Sequence, residues 1–137
     1  MRRLRYPVRW HRIERKPKAF DWRATDEVLG YLRDNDMCPI VDLVHHTSYP
    51  RWLRRGFLDR QFPKAYLRYV EAFARRYPWV EEYTLLNEPF TTFLLCGQEG
   101  VWPPHLRGLS GFLTLATNVF PAVAHASRLY RELLPEA

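Results

Sequence analysis

Two neighbouring polar residues near the middle of the chain, Asn87 and Glu88, have the types and spacing needed for acid–base chemistry on a hydroxylated substrate. They close a short apolar run at residues 83–86, and Pro89 follows them. A carboxylic acid can protonate a leaving group, and an adjacent amide can hydrogen-bond a substrate hydroxyl. Because a run of this length is typical of a buried parallel strand, the pair is expected where a strand opens into a loop.

Histidines occupy the corresponding position in an earlier apolar run. Residues 39–46 are apolar and β-branched until they end in His45 and His46, and a first run at residues 5–10 is also followed by basic side chains. The carboxyl ends of parallel strands converge at one mouth of an α/β barrel, so residues far apart in sequence become neighbours there. We therefore predict a single site assembled from the ends of the three runs.

The elements that must position this site alternate between strands and helices. A βαβαβα order implies parallel strands joined by helical crossovers. In chain order, the prediction is a strand at 5–10, a helix at about 21–34, a strand at 39–46, a loop at 47–59, a helix at about 63–77, a strand at 82–88, a loop at 90–109 and a final helix.

Apolar residues at helical spacing predict the buried face of each helix. Asp21 is a candidate cap for the first helix, Pro63 suits the first turn of the second, and Pro121 should bend or interrupt the third. The predicted buried residues are Trp22, Val28, Leu29 and Leu32 in the first helix, Phe62, Tyr66, Tyr69, Val70, Phe73 and Tyr77 in the second, and Phe112, Ala116, Val119, Val123 and Ser127 in the third.

The length of the chain limits the architecture. A complete eight-stranded α/β barrel needs on the order of 250 residues, and this chain has 137. Three βα units would leave two open sheet edges and an uncovered inner face. The sequence therefore predicts an α/β fold in which residues 1–137 form a single segment of a partial (β/α)8 TIM barrel. A small open α/β domain is the alternative.

Composition and charge exclude several classes of protein. The chain is 47% hydrophobic and 26% charged, as expected of a globular protein. Its net charge of +6 is spread along predicted helical faces, which indicates a solvated exterior and no nucleic-acid partner. No apolar run approaches bilayer length, so no membrane partner is expected. The two cysteines, Cys38 and Cys96, are predicted to be free thiols in a cytoplasmic protein.

Most of the chain resembles glycoside hydrolase family 1, the β-glucosidase-like retaining enzymes. Residues 5–13 (RYPVRWHRI) are similar to the family's second barrel strand, residues 41–46 (VDLVHH) to its third and residues 83–89 (YTLLNEP) to its fourth. The resemblance implies a TIM barrel, of which this chain would be about the second to fourth βα units. It also implies hydrolysis of a small β-glycoside substrate without a cofactor.

The resemblance also implies roles for individual residues. Glu88 matches the general acid/base, and Asn87 matches the residue that holds the sugar 2-hydroxyl. His45 matches the histidine that contacts the sugar in the cleavage subsite, and Arg5 matches the arginine that steadies the carboxylates of the site. His46 is also expected to bind substrate, although it replaces the family's tryptophan and therefore alters the expected sugar specificity.

One member of the catalytic pair is missing from this pattern. The nucleophile of these enzymes is a glutamate on the seventh strand, and a retaining mechanism needs two carboxyl groups about 5 Å apart. Glu14 and Glu99 fall in predicted mouth-side loops, but neither lies in a motif. The isolated chain is therefore expected to be inactive. A continuation into further barrel strands would supply the nucleophile. The paired histidines also resemble a subgroup joined to a dTDP-4-dehydrorhamnose reductase-type module, which would lie outside these residues.

Several alternatives remain open at this point. Glu88 could be a structural carboxylate paired with Arg5 or Arg9, and the chain could be a non-catalytic carbohydrate-binding or regulatory module of a sugar-nucleotide enzyme. A zinc site for a metallohydrolase could combine His45 and His46 with Glu88, His11 or His105. Adjacent residues on a strand point to opposite faces, so no metal is predicted. Exposed aromatics, Trp52 and Trp102, could stack on sugar rings. Asp42 is expected on the helix-facing side of its strand, with a buried partner such as Arg68.

Overall fold

The computed structural model describes residues 2–135 and contains one parallel sheet flanked by helices. The three strands are adjacent in chain order, with β2 in the centre. The elements are β1 (Arg2–Pro7), α1 (Trp10–Ile13), α2 (Arg23–Asp34), β2 (Met37–Asp42), α3 (Phe62–Arg76), β3 (Glu82–Thr84), α4 (Pro89–Phe93) and α5 (Gly108–Leu133), with a 3-10 turn at Gly56–Leu58 and a π-helical turn at Leu94–Gln98.

The register of the sheet separates its two faces. Tyr6, Val41 and Tyr83 are aligned across the strands, and Val41 and Tyr83 pack on the helix side. Because side chains alternate along a strand, the neighbouring positions Arg5 and Asp42 lie on the opposite face, which would line the inside of a barrel. The carboxyl ends of all three strands meet at one edge of the sheet, which we call the mouth.

Helix α3 provides most of the core against the sheet. Its predicted buried stripe is confirmed, because every predicted residue of that stripe is at most 5% exposed. Trp10 stacks on Tyr69 with ring centroids 4.8 Å apart, and so joins the end of the first βα unit to α3. Pro63 lies in the first turn of α3, where its missing N–H has no helical partner to lose.

The predicted strands extended too far toward their carboxyl ends. The regular ladder stops at Pro7, Asp42 and Thr84, so His45 and His46 lie in the loop after β2 and not on the strand. Single backbone hydrogen bonds still bind the following residues together: Leu43 N–H donates to the Thr84 carbonyl at 2.9 Å. The apolar runs therefore continue as buried backbone after regular strand pairing has ended.

Several predictions about the helices and loops were also wrong in detail. Val28 on α2 is 38% exposed, and the predicted loop at residues 90–109 begins with α4 and the π-helical turn. The buried face of α5 is shifted by about one residue from the prediction, and α5 continues through Pro121. Its buried residues are Gly111, Leu115, Val119, Ala122, Ala126 and Tyr130.

Contact between two glycines explains the face that α5 presents. A Cβ at Gly111 would lie 2.1 Å from the carbonyl oxygen of Gly97, which belongs to the π-helical turn. The two backbones therefore touch directly, and only glycine at position 111 permits this approach. A hydrophobicity pattern gives weight to large side chains, so it does not identify a face that is centred on a glycine.

Helix α5 is long and apolar enough to correct the expectation that no segment approaches bilayer length. By length and composition alone, its 26 residues could cross a membrane, although core helices of soluble proteins pass the same test. In this fold α5 packs on α3, where the Tyr130 hydroxyl donates to the Val70 carbonyl at 3.0 Å. The absence of a membrane partner stays a prediction. Cys38 and Cys96 are free thiols, as predicted.

Candidate active site

The inner face of the sheet carries a charged pair at the mouth. The Arg5 guanidinium on β1 lies 3.5 Å from a carboxylate oxygen of Asp42 at the end of β2, and Asp42 is fully buried. The prediction that Asp42 faces the helices and pairs with Arg68 was therefore wrong. Because Asp42 aligns with Pro7 and lies beside Arg5, its carboxylate belongs to the candidate site.

Asp42 also orients the first histidine of the pair. Its Oδ2 atom lies 2.6 Å from Nδ1 of His45, and the backbone N–H of His45 donates to the Ser48 hydroxyl at 3.0 Å. A proton on Nδ1 satisfies this contact, because the carboxylate can only accept. The other ring nitrogen, Nε2, makes no hydrogen bond within residues 2–135 and is therefore free to bind a substrate hydroxyl.

Asn87 is buried at the centre of the site, with 1% of its surface exposed. Its Oδ1 atom accepts a hydrogen bond from Arg5, and its backbone N–H donates to the Val44 carbonyl at 3.0 Å. Because arginine can only donate, the oxygen of the amide must face Arg5 and the NH2 group must face His46. The Asn87 amide is thus fixed in orientation by its neighbours.

The same argument fixes the tautomer of His46. Asn87 Nδ2 lies 3.1 Å from Nε2 of His46 and 3.5 Å from Nδ1, so the amide group lies close to both ring nitrogens. The Thr92 hydroxyl donates to the Asn87 carbonyl at 3.2 Å, so its oxygen is left to accept from Nδ1 of His46, 3.2 Å away, and Nδ1 carries the proton. These contacts form a closed ring through Asn87, His46 and Thr92, to which Arg5 is joined by its bond to Asn87; we call the four residues the Asn87 ring.

Electrostatics favour the neutral form of His46. Burial lowers the pKa of its imidazole, and the neighbouring His45 ring, whose centroid is 4.4 Å away, lowers it further. The carboxylates of Glu88 and Asp42 act in the opposite direction and are outweighed. Since Nδ1 of His46 is engaged by Thr92 and the Asn87 amide lies against the ring, His46 supports Asn87.

Glu88 differs from every other acidic group near the mouth. Its backbone is left-handed, with φ 40° and ψ 63°, and its side chain is exposed. It makes no hydrogen bond or ion pair with any residue between 2 and 135, so the alternative in which it pairs with Arg5 or Arg9 is wrong. The αL conformation is uncommon for glutamate and is typical of residues that a site holds in place.

Glu14 has the opposite environment to Glu88, since it is buried and hydrogen-bonded. One of its oxygens accepts from Trp10 Nε1 at 2.9 Å, and the other accepts from the backbone N–H of Lys18 at 2.8 Å and from Arg68. Its side chain is fully buried. Glu14 therefore holds α1 and α3 together and is not positioned as a second catalytic carboxyl group.

The histidines do not assemble a metal centre in the described part of the chain. Among residues 2–135 there is no group of three or more His, Cys, Asp or Glu side chains that could hold a metal ion. His105, a candidate ligand from the sequence, has its Nδ1 3.0 Å from the Gly100 carbonyl instead.

An open cleft of about 690 Å³ adjoins the site. His45, His46 and Trp102 line it, and the Trp102 ring lies 4.8 Å from that of His46. Trp102 is therefore placed to stack on a ligand. Trp52 does not line the cleft, and its N–H donates to the Glu14 carbonyl at 2.9 Å.

The sequence interpretation missed two members of the site, Asp42 and Thr92. Asp42 interrupts an otherwise apolar run immediately before the histidines, and an acidic residue there was a usable signal. Thr92 had no signal, because its role depends on α4, which the sequence did not predict. Arg5, His45, His46 and Asn87 do lie together, and Glu88 adjoins them.

Comparison with solved structures places nearly the whole chain within glycosidase folds. A β-glucosidase from Thermotoga maritima in complex with galacto-hydroximolactam has a TM-score of 0.86 at 20% identity, over 99% of this chain and 32% of its own. A β-glycosidase from Pyrococcus horikoshii has a TM-score of 0.84 at 26% identity, over 93% of this chain and 31% of its own.

These comparisons define the fold of the chain. It has the α/β architecture of part of a (β/α)8 barrel, which confirms the predicted fold class, and it spans about a third of the length of the structures that it matches. No protein-family model matches the chain, and no curated protein sequence is significantly similar to it.

Proposed function

We propose that residues 1–137 are a segment of a retaining β-glycosidase of glycoside hydrolase family 1, equivalent to about the second to fourth βα units of its barrel. One observation carries this proposal. A buried amide fixed in orientation, Asn87, is followed directly by an exposed carboxylate, Glu88, which has no partner among residues 2–135 and lies at the mouth of a parallel sheet. The glycosidase fold of the structural neighbours supports the same conclusion.

Under this proposal, each group has a step in the reaction. Asn87 uses one N–H for His46, so its second N–H can donate to a sugar hydroxyl. Glu88 donates a proton to the glycosidic oxygen as that bond breaks, and later accepts a proton from the attacking water. His45, held by Asp42, binds a second hydroxyl through Nε2. Arg5 holds Asn87 and Asp42, and its charge steadies the carboxylates of the site.

A nucleophile from outside these residues completes the mechanism. Asp42 is engaged by Arg5 and His45, and Glu14 by Trp10 and Arg68, so neither is available to attack the sugar. We therefore expect the isolated chain to be catalytically inactive and the nucleophilic glutamate to lie in further barrel strands. The reaction needs no cofactor, and the free thiols suit a cytoplasmic location.

The test uses the reading frame that contains these codons, extended until it supplies a second catalytic glutamate. In that protein, Glu88→Gln should lower kcat/KM for alkyl β-glucosides by about 10²- to 10⁴-fold, the usual contribution of a general acid. The loss should be much smaller for 2,4-dinitrophenyl glucoside, whose leaving group needs no proton. Glu99→Gln, another exposed mouth-side glutamate, is the control and should retain full activity. Undiminished alkyl-glucoside hydrolysis by Glu88→Gln contradicts the assignment.

A second candidate is a sugar-binding module that does not hydrolyse its ligand. The engagement of Asp42 and Glu14 favours it for a chain that receives no further strands. Another structure of the Thermotoga maritima β-glucosidase is a complex with deoxynojirimycin, which makes that iminosugar a suitable probe. Saturable binding that Asn87→Ala abolishes, without turnover of aryl glucosides, would support the module. An attached sugar-nucleotide reductase module would extend this alternative.

A further inference from the structure

The charged residues that line the cleft beside the candidate site are all basic. Its lining includes two arginines, Arg51 and Arg54, and none of its lining residues is an aspartate or a glutamate. A cleft lined by cationic groups and bounded by protein raises the local concentration of anions. The neutral hydroxyls of a simple glucoside do not require such a lining.

His11 provides a second observation at the base of this cleft. Its Nδ1 atom is buried and has no hydrogen-bond partner within residues 2–135, while its backbone N–H donates to the Ser48 carbonyl at 3.0 Å. Burial lowers the pKa of the imidazole, and the nearby guanidinium groups of Arg12, Arg9 and Arg51 add to that effect. The positive charge of the cleft therefore comes from its arginines and not from His11.

Arg51 and Arg54 are available to a ligand. Both side chains are exposed, and neither forms an ion pair with a residue of the described range 2–135. By contrast, Arg68 on α3 is paired with the buried Glu14. Guanidinium groups form two parallel hydrogen bonds with carboxylates and phosphates, so two unpaired arginines at a cleft provide the donors that such a group needs.

We propose that this cleft binds an anionic substituent, a carboxylate or a phosphate, carried by the sugar ligand of the adjoining site. Arg51 and Arg54 bind the anion, and His11 lines the base of the cleft. His45, His46 and Trp102 line the same cleft, which connects the anion site to the Asn87 ring. The sugar part of this proposal depends on the proposed function, whereas the anion part depends only on the lining of the cleft.

The experiment is a set of NMR titrations of the 137-residue chain with glucose, glucose 6-phosphate, glucuronate and inorganic phosphate at low ionic strength. At least one of the two anionic sugars should bind about tenfold or more tightly than glucose, and the tighter of the two identifies the anion. Arg51→Gln and Arg54→Gln should each weaken that binding about tenfold, the size expected for one charge-assisted hydrogen bond. Arg60→Gln, an exposed arginine outside the cleft, should have no effect.

Three outcomes would overturn the proposal. Equal affinities for glucose and both anionic sugars would show that the cationic lining is not used, and sugar binding itself would still stand. Inorganic phosphate binding as tightly as glucose 6-phosphate would show that the sugar contributes nothing. An equal loss in Arg60→Gln would show that only the net charge matters. Failure of the proposed function is separate, since it would appear as undiminished hydrolysis in Glu88→Gln.

Discussion

Two glutamates in this chain occupy opposite environments. Glu14 is fully buried, and its carboxylate accepts hydrogen bonds from Trp10, Lys18 and Arg68. Glu88 is exposed on a left-handed backbone and has no hydrogen-bond partner within residues 2–135. Both follow a strand of the same sheet, so their position along a βα unit does not distinguish them.

The contrast shows how to separate a structural carboxylate from a reactive one. A charge without partners cannot be buried at acceptable cost, so a buried carboxylate needs several donors. Those donors occupy its oxygens, so it cannot also bind a substrate. The oxygens of Glu88 remain available because its side chain is exposed to solvent, and its neighbour Asn87 provides the fixed geometry. The rigid part of the site is therefore the amide, and the reactive part is the exposed acid.

The largest expected effect is on the free energy of unfolding when each glutamate is replaced by the neutral glutamine. Glu14→Gln should lower the free energy of unfolding by about 3 kcal/mol, because Arg68 and two N–H donors lose a buried ionic partner. Glu88→Gln should change it by less than about 0.5 kcal/mol, as for an exposed side chain without contacts. Urea denaturation followed by circular dichroism measures both values.

A matched loss of stability in the two variants would contradict this comparison. A loss for Glu88→Gln alone would mean that Glu88 has a structural partner in solution. Glu99→Gln gives the baseline for an exposed glutamate. Glu14→Gln is expected to remain folded, since the amide oxygen can still accept from one of the two sides, either Trp10 or Lys18.

A change of intermediate size in the free energy of unfolding is expected for the Asn87 ring. Thr92→Val removes the hydroxyl that accepts from His46 and donates to the Asn87 carbonyl, with little change in shape. The free energy of unfolding should fall by about 1 kcal/mol, the usual value for such hydrogen bonds. The ring nitrogens of His46 should also lose their single-tautomer pattern in a ¹⁵N NMR spectrum.

The tautomer separates a positioning role from simple packing. Thr92→Ser keeps the hydroxyl and should keep the Nδ1–H tautomer of His46. If His46 remains in one tautomer in Thr92→Val, then Thr92 does not position it, whatever the change in stability.

The smallest expected effect is a pH dependence of stability. The pKa of His46 is lowered on folding, chiefly by burial and then by His45, so the unfolded chain binds more protons just below the ordinary histidine value of about 6.5. Stability should therefore be complete above pH 6.5 and fall as the pH decreases toward the folded-state pKa. The ring is partly exposed, so screening limits the change to less than about 1 kcal/mol.

Comparison of urea denaturation at pH 7.5 and pH 5.5 measures this dependence. His46→Gln should reduce the difference between the two pH values. His11, whose pKa is also lowered mainly by burial, should maintain part of it. An unchanged or steeper dependence in His46→Gln would contradict the neutral assignment of His46.

The sequence was sufficient for the features that depend on periodicity. The buried stripe of α3 follows from large residues at helical spacing, and the order of the three parallel strands follows from their alternation with helices. His45 and Asn87 were predicted to lie together because the carboxyl ends of parallel strands converge, whereas Arg5 was assigned to the site only through the family resemblance. Apart from the assignment of Arg5, each of these inferences needs only a local pattern and a general packing rule.

Other features depend on tertiary contacts that no local pattern reports. The buried face of α5 is set by the approach of Gly111 to Gly97, and both residues lack the side chains on which a hydrophobic pattern is based. The regular strands end early because their last apolar residues are held by single backbone hydrogen bonds. Asp42 was placed on the wrong face because one residue of register decides the face of a strand.

The residues of the Asn87 ring come from all three βα units of this chain, which limits where a chimeric barrel can be joined. Its members come from β1, from the loop after β2, from the end of the third unit and from α4. A chimeric barrel joined between the second and third units would bring together halves of two unrelated hydrogen-bond sets. Chimeras of this fold should therefore exchange Arg5, His46, Asn87 and Thr92 as one block, or place the splice outside them.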